Sequence, residues 1–366
     1  MGDPGGQAGR GPLTPSDGPT PSASHGGLIG FLRAHPVVCL ALLTPGIPEY
    51  LSSSSPLLAL IDNPAFFLVQ LAINVGQYTA GALLVREALL RWRKGWGTVL
   101  LLGLAYGLTE EGLGDNTLFN AGHGTDGVLG WYGRFGGVNW VWTTGVLAFH
   151  VIYSIGLPIL LLGLALPATR GRSLLSRRGL LLALAALVTS TAVETAIVFE
   201  VDRFWMGTTL LVGTLAAIAL LVGAAYLVPA RFGGPRAAAP SARPREYLAI
   251  GFAFFPLAFL LEYGFAGSPV PPAPVILTEL VVFGILFERV RRSVGRSGNE
   301  YLLVDLALGF VAWQSAFGIL LNLGLPYTVP LVLLAGGFFV RLRRSYPAPS
   351  TAPDPSKPPP GVAAGG

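Results

Sequence analysis

The sequence predicts an all-α fold, a polytopic transmembrane helix bundle of about ten spans with both termini in the cytoplasm. Three observations carry this. Hydrophobic residues make up 52% of the chain and charged residues only 12%, with a mean hydropathy of +0.61. A chain of 366 residues holds about ten spans of roughly 20 residues each, with loops between them. Its Lys and Arg residues sit in short clusters between apolar runs. Of the 24, only Arg134 and Arg203 fall on the outer side of the resulting topology, which is the positive-inside pattern.

The net charge of +5 and the pI near 9.5 come from these loop clusters, and no aromatic-interleaved basic patch points to nucleic acid. The lone Cys39 excludes an internal disulfide and a multi-thiolate metal site. Residues 1–26 lack an apolar core and read as a disordered tail rather than a cleavable signal. Residues 346–366 read as a second tail, which leaves 27–345 as the membrane domain.

Each span has its own signals. The first segment, Leu28 to Leu51, is interrupted by Arg33, Pro36, Pro45 and Pro48 and reads as an interfacial helix leading into a kinked span. Were it not to cross, nine spans and an outer N-terminus would follow. Ser52 to Pro56 reads as an exposed turn. Asn63-Pro64 is a good start for the second span, which ends at Arg91, Arg93 and Lys94. The third runs from Trp96 to Leu113. An ordered interfacial loop follows, rich in Gly and aromatics, from Asp115 through His123 to Val138. The fourth, Asn139 to Leu166, carries Trp140 and Trp142 as interface anchors and a kink at Pro158. Arg170, Arg172, Arg177 and Arg178 precede the fifth, Leu180 to Phe199, which turns sharply at Asp202-Arg203. The sixth to tenth are Thr208–Val228, Tyr247–Phe265, Val275–Phe287, Tyr301–Leu323 and Thr328–Val340. Ten spans would divide as five plus five inverted repeats, echoed only by Ile155-Gly156-Leu157-Pro158 and Leu323-Gly324-Leu325-Pro326.

The polar residues inside the spans carry the functional expectation. An ionised carboxylate at mid-bilayer costs roughly 2.5–3.5 kcal/mol. Glu262, Glu279 and Asp305 lie near span ends, where that cost falls, which leaves Glu110, Glu111 and Glu194. His150, about 16 Å deep at 1.5 Å per residue, is the only basic side chain expected well inside. The acids therefore share protons, bind a cation or face water. Neighbouring helical positions are about 100° apart, so Glu110 and Glu111 flank one cavity rather than point the same way. Asp115 falls on the Glu111 face if the helix continues, and Arg134 from the next loop is positioned to relieve the repulsion. Gly107, Gly112 and Gly114 permit close backbone approach. Gln70, Asn74, Gln77 and Gly81 form one polar face with Tyr78 beside it. Thr143, His150 and Ser154 share another, and Glu194 sits in a patch of Thr and Ser.

Several blocks resemble a group of uncharacterised prokaryotic multi-pass membrane proteins: Thr44-Pro45-Gly46-Ile47-Pro48-Glu49-Tyr50, Arg91 to Trp96, Tyr106 to Gly112, Tyr132-Gly133-Arg134, Val138 to Trp142 and Leu157 to Leu160. The resemblance covers about Leu42 to Leu166 and implies a membrane location without an activity. Glu110-Glu111 followed by His150 on the next span is also similar to the CAAX-protease and bacteriocin-processing family of intramembrane proteases. That family has Glu-Glu with Arg three residues later, a Phe-x-x-x-His helix and a later His. Here Asp115 stands at the Arg position, Val146 at the Phe position, and Glu194 would replace the missing His. The resemblance implies that Glu110 or Glu111 activates water and His150 binds a metal or stabilises the oxyanion.

The first expectation for function is a proton- or cation-coupled secondary transporter in the prokaryotic plasma membrane. Its site would comprise Glu110, Glu111 and His150, with Asn74, Gln77, Asp115, Arg134 and Glu194 as solute or ion ligands. The alternatives are a metal-dependent intramembrane protease, the only reading that calls for a cofactor (a divalent metal), and a non-catalytic assembly or sensing protein. The expected partners are the lipid bilayer and a small solute or ion. The chain lacks a nucleotide-binding loop, so ATP-driven transport by this chain alone is not expected.

Overall fold

A computed structural model describes residues 27–55, 57–123, 127–233, 243–294, 299–321 and 328–348. Both tails apart from residues 346–348, Pro56, Asn322 and the Leu323–Pro326 echo lie outside the described residues. Among the described residues, every segment read as a span is largely helical, and six helices are long and apolar enough to cross a membrane.

The N-terminal segment is broken as its prolines dictate. Helix α1, Leu28–Ala34, stops at His35, whose φ of −123° and ψ of 68° leave the helical region just before Pro36. Helix α2, Pro36–Leu51, begins on that proline. It ends in a wide π-type turn, Gly46–Leu51, where Pro48 has no N–H for the regular ladder. After the short α3, Ala59–Asp62, helix α4 spans Pro64–Arg91. Asn63 caps it by accepting from the Phe66 amide at 3.2 Å. Val75–Thr79 forms a second wide turn inside it.

Helix α5, Trp96–Gly107, runs into a third wide turn, Leu108–Gly114. The following loop departs from an all-helical reading by one small hairpin. Strands β1, Arg134–Phe135, and β2, Val138–Asn139, pair antiparallel across Gly136 and Gly137. Those glycines adopt φ of 61° and 83°, as a tight two-residue hairpin turn requires. Asn139 then caps α6, Trp140–Ala165, by accepting from the Trp142 amide at 3.1 Å. A fourth wide turn, His150–Gly156, sits just ahead of Pro158. The proline ring displaces the carbonyl of Ser154 and opens the ladder there.

Helix α7, Arg177–Asp202, is capped by Ser176 and closed by Arg203 in the left-handed conformation. Helices α8, Gly207–Leu227, α9, Pro244–Phe265, α10, Pro272–Val294, α11, Glu300–Leu321, and α12, Thr328–Ser345, complete the bundle.

Burial sorts these helices. In α6 and α11 67% and 61% of the apolar window is buried, against 17% and 11% in α7 and α8. The former are central posts. The latter turn Leu182, Val188, Leu220 and Leu227 outward, which a lipid-facing helix tolerates. Helices α9 and α11 cross at Gly251 and Gly309, where a Cβ on either would overlap the other backbone. Small residues at such a crossing let membrane helices gain close packing. At the arginine-rich end, Arg86 donates to the carbonyls of Thr169 and Arg172 at 2.6 and 2.8 Å. Buried Glu87 accepts from Arg91, Ser173 and the Leu174 amide.

Candidate functional site

All four wide turns converge on one polar cluster. Such turns rotate the ladder and add a residue to one helix face, and they recur at functional sites. Here each delivers a chemical group: Glu49 from α2, Gln77 and Tyr78 from α4, Glu110 and Glu111 after α5, and His150 and Ser154 from α6.

The centre of the cluster is the His150 imidazole, 1% exposed. Its Nε2 lies 2.8 Å from Glu110 Oε2 and 2.8 Å from Glu111 Oε1. Its Nδ1 pairs with Ser154 Oγ at 3.0 Å. In a regular helix Glu110 and Glu111 would diverge; the wide turn brings both carboxylates to one nitrogen. Thr117 Oγ1 donates to Glu111 Oε2 and accepts from Trp142 Nε1 at 3.0 Å. Behind Glu110, the Tyr78 hydroxyl lies 2.8 Å from Glu110 Oε1 and 2.6 Å from Glu49 Oε1. Ser55 donates to Glu49 Oε2 at 2.8 Å. Gln70 and Asn74 donate to Ser55 at 3.0 and 3.1 Å. The serine turn expected to be exposed is so only at Ser54, while Ser52 and Ser55 are buried, Ser55 because it satisfies Glu49.

A second group adjoins the first. The Asp115 amide donates to the Glu110 carbonyl at 2.8 Å, an i to i+5 bond. Asp115 thus joins Glu110 as well as interacting with Glu111, the partner expected from a regular helix. Glu110, Asp115 and Glu194 each offer an oxygen within 4.8 Å of the others, and Glu110, Glu111 and His150 offer two oxygens and a nitrogen at the same spacing. Gln77 Nε2 donates to Glu194 Oε2 at 2.5 Å. Thr195 donates to the Leu113 carbonyl at 2.7 Å and ties α7 to the wide turn. The glycines leave the expected room: a Cβ at 114 would overlap the Glu194 carboxylate, and one at 107 would press on Leu147 and His150. Arg134 donates to the carbonyls of Gly130, Phe119 and Gly137 at 2.9, 2.7 and 3.1 Å, bracing the loop above.

Proton counting shows what the arrangement demands. Tyr78 has one O–H for Glu49 and Glu110, and His150 Nε2 has at most one N–H for Glu110 and Glu111. Five acids, Glu49, Glu110, Glu111, Asp115 and Glu194, thus share one cluster with one imidazole. Extra protons or a bound cation must balance them. Ligand atoms around a metal stand about 3–3.5 Å apart for bonds near 2 Å, close to the spacing around His150.

Sequence reasoning left two features out. Glu49 sits beside Pro48 in an apolar run; a carboxylate in such a run was the available signal. Glu262 and Glu279 were set aside as lying near span ends, yet both are buried. They face each other between α9 and α10, Glu262 against Gly145 of α6, because distance along a helix does not fix burial. Asp305, set aside for the same reason, is paired with Arg343. A cavity of about 680 Å³ lies elsewhere: apolar residues of α5, α6, α9, α10 and α11 line it, among them Leu104, Val151, Phe254 and Phe310.

No curated protein and no solved structure matches the chain. A family profile described as "Uncharacterized membrane protein family" matches residues 38–334. That span contains the whole cluster, all four wide turns and the six helices of membrane-crossing length, and the chain belongs to this uncharacterized family of membrane proteins.

Proposed function

We propose that this protein is an intramembrane metal-dependent hydrolase of the prokaryotic plasma membrane, with Glu110, Glu111 and His150 as its metal ligands. One observation carries the reading: an imidazole nitrogen and two carboxylate oxygens from two helices meet at 2.8 Å in a buried site. His–carboxylate sets of this kind bind divalent transition metals. When bound, the ion would supply a Lewis acid and an activated water. Glu49 is the proton acceptor, one hydroxyl away through Tyr78. Tyr78 is the relay between Glu110 and Glu49, which share its one O–H. Ser154 fixes the ring from its other nitrogen, as partners of metal-bound histidines do.

Cation-coupled secondary transport is the second reading. Gln70, Asn74 and Gln77 favour it, because they form a polar strip along α4 from Ser55 to Glu194. The test is metal content of the detergent-purified protein by mass spectrometry, for wild type, Glu110→Ala and His150→Ala. Stoichiometric metal, lost in both folded variants, is the expected result, followed by cleavage of membrane-embedded peptides. A metal-free wild type that drives proton- or sodium-linked flux in vesicles would replace hydrolysis with transport.

A further inference from the structure

We infer that the cluster holds a second divalent-cation position, formed by Glu110, Asp115, Glu194 and Gln77, with Glu110 bridging it to the first. The inference rests on the metal-centre reading above and extends it from one ion to two. Three carboxylates alone would not carry it. The independent observation is Gln77, fully buried at 0% exposure, whose Oε1 has no hydrogen-bond partner. The other end of the same amide is 2.5 Å from Glu194 Oε2. A half-turn of the amide exchanges its oxygen and nitrogen at that place. It would then present a carbonyl oxygen beside the acids, as an oxygen-ligated cation requires. Gly114 completes the cradle, since a side chain there would displace both Glu194 and Gln77.

The geometry is that of a shared-ligand pair. Glu110 is the one member common to both ligand triads. The first position has an imidazole and the second only oxygens, so the second favours Mg²⁺ or Mn²⁺. Paired ions about 3.5–4 Å apart clamp the attacking and departing oxygens of a displacement. The second position is assigned that role.

Mn²⁺ is the probe. The full-length protein is stripped with chelator, reloaded with Mn²⁺ alone, and read by metal analysis and electron paramagnetic resonance. The expected wild type holds about two Mn²⁺ with an exchange-coupled spectrum, as a pair about 3.5–4 Å apart requires. Glu194→Gln and Asp115→Asn should each leave a single uncoupled ion, while His150→Ala should lose the first position. Gln77→Glu, which adds a charged oxygen without emptying the site, should tighten the second ion at least tenfold. A wild type with one Mn²⁺, lost in His150→Ala but unaffected by Glu194→Gln and Gln77→Glu, would overturn the second position and leave the metal centre standing. A wild type that takes up no Mn²⁺ or other divalent ion would remove both.

Discussion

His150 offers one nitrogen to two carboxylates, and the consequences differ for each residue around it. Glu110 and Glu111 touch that nitrogen directly, so their loss should cost metal. Glu49 reaches it only through Tyr78 and Glu110, so Glu49→Gln should keep the metal. General acid–base groups contribute roughly 10²–10⁴-fold to rate. Glu49→Gln should therefore lower kcat by about that factor, measured on metal-replete protein; a variant with full kcat would assign Glu49 to structure. Gly114→Ala is a separate case. Its methyl would overlap the Glu194 carboxylate, and overpacking a tight site costs about 1–3 kcal/mol. A lower thermal midpoint in detergent is expected, relieved by Glu194→Ala, which empties the space. Glu279→Gln should act in the opposite sense. Glu279 faces Glu262 across the α9–α10 contact, and an amide of the same shape removes a like charge and supplies a fixed donor. Hydrogen bonds to charged groups contribute about 1.5–3 kcal/mol, so the variant should unfold at a higher temperature than wild type.

At the scale of the helices, the common device is the wide turn. Two of the four stand beside a proline, Pro48 in α2 and Pro158 in α6. These were the part of the site's architecture that the sequence made legible, as expected kinks. Restoring an N–H with Pro158→Ala permits a regular ladder through Ser154. That would rotate His150 away from the acids, and weaker metal retention on dialysis is the expected outcome. The turns at Val75–Thr79 and Leu108–Gly114 have no proline and left no comparable mark. The sequence reading had Glu110 and Glu111 flanking one cavity, as they do around His150. A period of 3.6 also put Asp115 on the Glu111 face, but did not show that Asp115 meets Glu110 and Glu194. Helix limits were easier. Asn63-Pro64, Asn139 and Asp202-Arg203 marked three of them through capping chemistry that acts within a few residues. Burial of Ser55 and of the Glu262–Glu279 pair depends on partners on neighbouring helices, which no local pattern encodes.

The whole molecule is a division of labour between central and peripheral helices. Helices α2, α4 and α6 and the turn after α5 hold the charged cluster, α7 closes it with Glu194, and the outward faces of α7 and α8 are apolar. A cluster of five acids is stable at that depth only when sealed from lipid and balanced internally, so the bundle must be complete before the site is. The orientation follows from the basic residues: Arg86, Arg91, Arg170 and Arg178 gather at one end, and Trp131 and the β1–β2 hairpin lie at the other end of α6. Positive-inside bias assigns the arginine-rich end to the cytoplasm. Cysteine labelling in a Cys39→Ser background checks this directly. Trp131→Cys and Pro271→Cys should react with a membrane-impermeant maleimide in intact cells, whereas Arg178→Cys and Arg344→Cys should react only after permeabilisation. Labelling of all four from outside would mean that α6 does not cross and that an even number of α10, α11 and α12 do, which would overturn this orientation.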